Sequence, residues 1–363
     1  MRKRIVLTSR PSSKTFKRFS ALFISILFMT SVSLCSTGCA DRYSATDTRI
    51  FTDSCKRQVT VPTNIERVAV SGPLAQIMCY ALCPDKMIEL SSEWDESLEG
   101  LMEEQYYTLP VLGKVYNQAN LNVEELITLN PQVLIDVGEE KSNVADDMNT
   151  LSSLTGIPCV HINADLQTIP EAFIMLGNLL NLPTEANILA GYCTEKYDLC
   201  KGIVEKAGAK KLLYLTGDEG LNVIVKGSYH AEVIDLISDN VATIDNPTSK
   251  GTGNEVNIEQ IINWDPDYII FSANSIAGSV ENDPVWSTLS AIKNNHYYEV
   301  PWNPYNWIGA PSSLQRHLNL LWYTKTLYPE YATYNLFDEV HEYLNLFYHI
   351  DLSKETYDDW TNK

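Results

Sequence analysis

The chain has 363 residues and carries 46 acidic against 27 basic side chains, a net charge of −19. So negative a field repels nucleic acid and bare anionic lipid, which argues against both as partners. The length points to two domains rather than one, and an apolar content of 45% is enough to pack both.

The first 38 residues read as a leader. They hold seven basic residues (Arg2, Lys3, Arg4, Arg10, Lys14, Lys17 and Arg18) and no acidic one. The apolar run at residues 21–34 is shorter than the ~20 residues a membrane span needs, but it suits the hydrophobic region of an export signal. Ser36, Thr37 and Gly38 then stand directly before Cys39. This ending resembles a bacterial lipoprotein signal, which implies that Cys39 is acylated and becomes the mature N-terminus. Ordinary signal cleavage or an uncleaved anchor are the alternatives. Removing seven of the 27 basic residues and none of the acidic ones takes the charge from −19 to −26. Six cysteines remain beyond Cys39, without the C-x-x-C spacing of a metal or redox site; they are expected as buried free thiols, with disulfide pairing in an exported chain as the alternative.

After a tether at 39–50, short apolar runs alternate with helical patterns. Strands are expected at 67–71, 132–137, 158–163, 211–216, 268–272 and 297–301, each nearly continuous in hydrophobicity, as in sheets covered on both faces. Helical segments lie between them, among them 72–82 and 230–238, so the fold class is α/β with largely parallel sheets. Between the halves, residues 184–208 place Ile188, Leu189, Tyr192, Cys193, Leu199, Cys200, Ile203 and Val204 on one helical face. A helix of that length is a rod of roughly 35 Å. The expected organisation is a lobe at 51–183, a connecting helix at 184–208 and a second lobe at 209–363.

One phrase occurs twice. Residues 122–136 read NVEELITLNPQVLID, and residues 257–271 read NIEQIINWDPDYIIF. Asn122 and Asn257 suit an N-cap, Glu124 and Glu259 favour the positive end of a helix, and Asn-Pro or Asp-Pro ends it. Each copy is therefore expected to be helix, turn and strand.

The familiar catalytic signatures are missing. His341 opens a zinc-protease-like HEYLN, but Asn345 stands where the second His must be, and there is no nucleophile elbow or phosphate loop. The Pro- and Gly-broken stretch at 300–316 gathers Trp302, Tyr305, Trp307, Ser312, Ser313 and Arg316. Aromatic rings in a loop suit ligand binding, and Arg316 suits a carboxylate or phosphate. The alternative is that Trp302 and Trp307 cap a core. Trp94 lies in a second aromatic loop, and Tyr116 and Asn117 lie before the first repeat. His230 could be a hydrogen bonder of the second lobe or a helix-start residue, with haem ligation the least favoured reading.

The leader, the paired repeats, the rod and the ending at 307–329 together resemble bacterial substrate-binding lipoproteins of ABC importers, of the group handling ferric siderophores, haem and cobalamin. The resemblance implies two similar α/β lobes bridged by one long rigid helix, with the ligand in the cleft between them and closure by small tilts. It implies no cofactor of the protein's own, a ligand that is a metal chelate, and a monomer held outside the cytoplasm on the membrane by its lipid. Partners would be a permease dimer and its ATPase. Ligand contacts would come from Trp94, Tyr116, Asn117, Trp302, Tyr305, Trp307 and Arg316. Glu124 and Glu259 would each pair with arginines of one permease subunit. Two other readings stay open. Arg316, Ser312, Ser313 and helix N-termini would also suit an oxyanion such as molybdate, and an extracytoplasmic enzyme would need a nucleophile–base pair that the sequence does not display.

Overall fold

A computed structural model describes residues 47–116, 120–139, 142–273, 275–308 and 314–361. The chain opens with an antiparallel hairpin, β1 (Thr48–Thr52) and β2 (Gln58–Pro62), with Thr48 opposite Pro62. Its turn is closed by Asp53, which accepts from both the backbone and the guanidinium of Arg57. This hairpin begins inside the stretch read as a tether, because its alternating Arg49–Phe51 and Val59–Val61 pattern is only five residues long in each strand.

The first sheet is parallel, in the order β3 (Val68–Val70), β4 (Val133–Gly138), β5 (Cys159–Asn163). Both faces are covered, as the unbroken apolar runs require. The helices of this half are α1 (Pro73–Leu82), the short α2 (Glu104–Tyr107), α3 (Val123–Leu129), α4 (Val144–Thr155) and α5 (Ile169–Leu180). Next comes α6 (Pro183–Ala207), the longest helix, which packs on α5 and also on helices of the second half. Its entry is tight: a Cβ on Gly177 would lie 2.4 Å from that of Ala186, so α5 and α6 meet there backbone to backbone.

The second sheet runs β11–β10–β6–β7–β9, with β8 also on β6. In chain order these are β6 (Lys211–Thr216), β7 (Asn222–Val223), α7 (Glu232–Ile237), β8 (Asp239–Asn240), β9 (Asn254–Glu255), α8 (Ile258–Trp264), β10 (Tyr268–Phe271), α9 (Ser290–Lys293) and β11 (Tyr297–Glu299). The pairs β6–β10, β10–β11 and β6–β8 are parallel, while the two-residue β7 and β9 add an antiparallel edge. Three helices end the chain: α10 (Gln315–Leu327), α11 (Leu336–Tyr348) and α12 (Lys354–Thr361). α10 is buried nearly all round, packing on α6, α7 and α11.

The end of the chain returns to its beginning. α11 packs on α1, His349 Nε2 lies 3.1 Å from the Tyr80 carbonyl, and Tyr348 meets the Trp94 ring at 6.4 Å. Lys196 on α6 reaches Glu339 and Glu342 on α11 at 2.7 and 3.0 Å. Cys79, Cys83, Cys159, Cys193 and Cys200 are buried thiols outside any disulfide. No helix among the described residues is long and apolar enough to cross a membrane.

Candidate functional site

Parallel strands leave their C-terminal ends on one rim, where loops rooted in a rigid sheet are free to carry binding groups. In the first sheet, β3 ends at Val70, and after Ser71 and Gly72 the first turn of α1 opens on Pro73. Pro suits that place, since its missing N–H would be unpaired there in any case. One turn on, Gln76 Oε1 accepts from Ser91 N at 2.8 Å and Ser92 N at 3.1 Å, while its amide nitrogen donates to the Ser92 carbonyl at 3.1 Å. That amide clamps the 91–92 loop onto α1.

A cavity of about 330 Å³ lies against this clamp, lined by Pro73, Gln76, Ile77, Ser92, Lys114 and Tyr305. Lys114 is half-buried and makes no ion pair among the described residues. The α1 N-terminus adds the positive end of its dipole. Lys114 and this helix end place positive charge at the cavity, in a protein whose net charge is −19.

A second cavity, of about 310 Å³, opens at the end of β6 among Tyr214, Thr216, Asn222, His230, Thr252 and Asn306. Thr216 Oγ1 donates to the Thr252 carbonyl at 2.7 Å and so fixes the 250s loop. Gly251 lies close against His230, where a Cβ would come within 3.3 Å of the imidazole ring. The two cavities are neighbours: Tyr305 lines one, and the next residue, Asn306, lines the other. Tyr305 also joins the halves directly, its hydroxyl oxygen accepting from Asp95 N at 3.1 Å. Burial pushes its phenol pKa up, so the hydroxyl stays neutral.

Under the first rim lies a buried polar chain. Ser71 Oγ donates to Asp136, Asp136 Oδ2 faces His161 Nδ1 at 2.6 Å, and His161 Nε2 lies 2.8 Å from Asn163 Oδ1. Burial works against the imidazolium, but Asp136 and Asn163 outweigh it and raise the His161 pKa. Serine here donates to the carboxylate and not to the imidazole, so the order is wrong for a nucleophile and its base. Among the described residues no cluster of three or more His, Cys, Asp or Glu is placed to hold a metal ion.

The residues singled out from sequence are distributed unevenly around these cavities. Tyr305 lines the first one. Trp302 is 43% exposed and lines a separate groove shared with Trp360. Trp307 corrects its expectation: it is fully buried, its indole donates to the Asn303 carbonyl at 2.7 Å, and no ring face remains for a ligand. Trp94 is likewise buried, packed edge-on against Tyr80 at 5.0 Å with its indole donating to the Tyr106 carbonyl. Arg316 is not an open anion site either. It is 3% exposed, paired with Glu232 at 2.5 Å, bonded to the Tyr229 carbonyl at 3.0 Å and stacked 3.9 Å above the Tyr229 ring. The half-buried Tyr116 has its pKa raised by burial and by Asp136 and Asp147 nearby. Glu124 and Glu259 are exposed on α3 and α8. Asn117, Ser312, Ser313 and Cys39 lie outside the described residues. Sequence reasoning passed over Lys114, Gln76 and Asn306. A lone Lys beside an aromatic stretch was the one signal available for the first, and Gln76 and Asn306 carry none.

Residues 99–304 match the periplasmic binding protein family, more than half of the chain. Among solved structures, an ABC transporter solute-binding protein from Sulfurospirillum deleyianum superposes with a TM-score of 0.77 at 27% identity, over 87% of this chain and 99% of that one. A molybdate-binding protein of Haemophilus influenzae is 21% identical over 84% of this chain and 92% of its own length. A ferric-citrate-binding protein of Bacillus subtilis is 23% identical over 49% of this chain and 56% of its own. On the strength of that match, the chain belongs to the periplasmic binding protein family.

Proposed function

We propose that this substrate-binding component of an ABC transporter captures an anionic, oxygen-rich metal chelate, a ferric siderophore or ferric citrate, and delivers it to the permease. The observation that carries the reading is the pair of adjoining cavities, of about 330 and 310 Å³, with Lys114 on one side and neutral hydrogen-bonding groups with His230 on the other. Their size lies at the lower end of the range for drug-sized ligands. A bare cation would call for converging carboxylates or imidazoles. A chelate arrives with its metal already satisfied and needs hydrogen bonds and one or two positive charges. The ferric-citrate-binding relative supports this choice.

A second reading, a tetrahedral oxyanion such as molybdate, is favoured by the molybdate-binding relative, which matches over 92% of its own length. Lys114, Ser92 and the α1 N-terminus would hold such an anion. Arg316 takes no part in either reading, because Glu232 already neutralises it.

In this proposal the lobes at 51–183 and 209–363 close on the ligand, Cys39 tethers the protein outside the cytoplasm by a lipid, and Glu124 and Glu259 face the two permease subunits. Titration calorimetry with ferric citrate, a ferric hydroxamate, a ferric catecholate, haem, cobalamin and molybdate tests the choice. Saturable binding of one ferric chelate, with no response to molybdate, is expected. Binding of molybdate alone selects the second reading.

A further inference from the structure

The repeated helices present more than a carboxylate each. When residues 122–131 are set against 257–266, nine of the ten positions share the same degree of burial. Leu126 and Ile261 are fully buried under their own sheets. The next position is aliphatic in both copies and turned outward: Ile127 is 46% exposed and Ile262 is 42% exposed. A single exposed apolar residue needs no explanation. Two isoleucines at the same place in two helices 135 residues apart, equally exposed, call for one.

The helices hold these side chains in the same attitude. Asn122 Oδ1 accepts from Glu125 N at 3.2 Å, and Asn257 Oδ1 accepts from Gln260 N at 2.9 Å. Both helices end on a left-handed residue, Asn130 with φ 51° and Asp265 with φ 42°. The chain after each turn then joins its sheet by equivalent bonds, Gln132 N to the Arg67 carbonyl at 2.8 Å and Asp267 N to the Lys211 carbonyl at 3.0 Å. Glu124 with Ile127, and Glu259 with Ile262, stand three residues apart and are neighbours on one helix face. Neither carboxylate has an ion-pair partner among the described residues. Each copy thus offers an unpaired negative charge beside an unpaired apolar side chain.

We propose that Ile127 and Ile262 are the apolar anchors of the face that docks on the transporter's membrane subunits, each seated in an apolar recess next to the cation that meets Glu124 or Glu259. The inference rests on the reading that those two carboxylates face the permease, and it adds a contact of a different kind. A rim carboxylate steers and orients, and its effect fades with salt. A buried isoleucine contributes attraction that salt does not screen, and it acts mainly on dissociation. Two like patches on one chain fit a partner with two like subunits.

The test is binding of the full protein to its permease–ATPase complex in nanodiscs, measured across a series of salt concentrations. Ile127→Ser and Ile262→Ser are each expected to weaken docking about tenfold, by the same factor at every salt concentration. Ile→Val at the same sites should recover most of it. The Glu124→Gln/Glu259→Gln pair is expected instead to flatten the salt dependence. Melting temperature should stay unchanged in all variants, since these side chains are exposed. If the serine pair docks like the wild type while the glutamine pair fails, the anchor is overturned and carboxylate docking stands. If both pairs dock normally, both ideas fall. A loss in the serine pair that shrinks with salt as the carboxylate effect does would also overturn the anchor. So would self-association of the protein that the serine variants abolish, which would assign the face to a second copy of the chain.

Discussion

Glu89 is 1% exposed and carries a carboxylate that the fold does not fully satisfy. Oε1 accepts from Val70 N at 2.6 Å, but Oε2 is buried with no partner among the described residues. Burial pushes its pKa up from 4.5 to about 8, against the lowering effect of the Val70 bond. The folded state therefore keeps a proton that the unfolded state has released, so stability falls as pH rises from the unfolded pKa to the folded one. The slope is about 1.4 kcal/mol per pH unit, which sums to roughly 4 kcal/mol between pH 5 and pH 8, a large part of the 5–15 kcal/mol typical of a domain. Glu89→Gln keeps an oxygen for Val70 N and removes the titration. Urea unfolding of both proteins at pH 5.5, 7 and 8 should show a variant little changed at the lowest pH and increasingly the more stable one as pH rises. His161 also contributes a falling slope, because its raised pKa gives stability that is full below about 6.5 and is lost as pH passes through its folded value. That term is common to both proteins and cancels in the difference. A difference between wild type and variant that does not change with pH would refute a protonated Glu89.

Arg316→Met should cost about 3 kcal/mol of stability by leaving Glu232 partly buried without its cation, and adding Glu232→Gln should restore most of it. Lost affinity for ferric citrate with unchanged urea unfolding would instead place Arg316 at the ligand. Lys114→Met should weaken binding of the ferric chelate about tenfold or more, as expected for a charge-assisted contact, and the loss should diminish at high salt. An unchanged titration would move the anion site off the first cavity. Fatty-acid labelling of cells should mark the wild type and not Cys39→Ala, and equal labelling of both would refute acylation at that residue.

The strands were legible because each is an apolar run in a sequence that otherwise alternates with polar turns. All six expected strands form, from Val68–Val70 to Tyr297–Glu299, and α6 covers the expected rod with its start one residue earlier. The repeat was legible too, since its Asn caps and Pro stops act within a few residues. What escaped depends on partners far along the chain. Arg316 looked like an anion binder because nothing near it in sequence neutralises it, whereas Glu232 lies 84 residues away. Trp307 looked like a loop aromatic, and only its complete burial and the bond to the Asn303 carbonyl show that its ring faces the interior. The hairpin at the start and the two-residue strands β7 and β9 are too short for a periodic signal.

The halves before and after α6 touch through polar contacts at three places, one of them His349 Nε2 on the Tyr80 carbonyl, where α11 packs on α1. Asp95 N on Tyr305 lies in the loops following β3, whereas Tyr229 Oη on the Ala164 carbonyl and Leu166 N on Glu232 lie just past β5. β3 and β5 are the outer strands of a three-stranded sheet, and neighbouring strands stand about 4.8 Å apart, so these latter two attachments are roughly 10 Å or more from one another. Twisting or sliding one half across the other would stretch these attachments together. Any wide separation of the halves has to break these bonds and unpack α11 from α1.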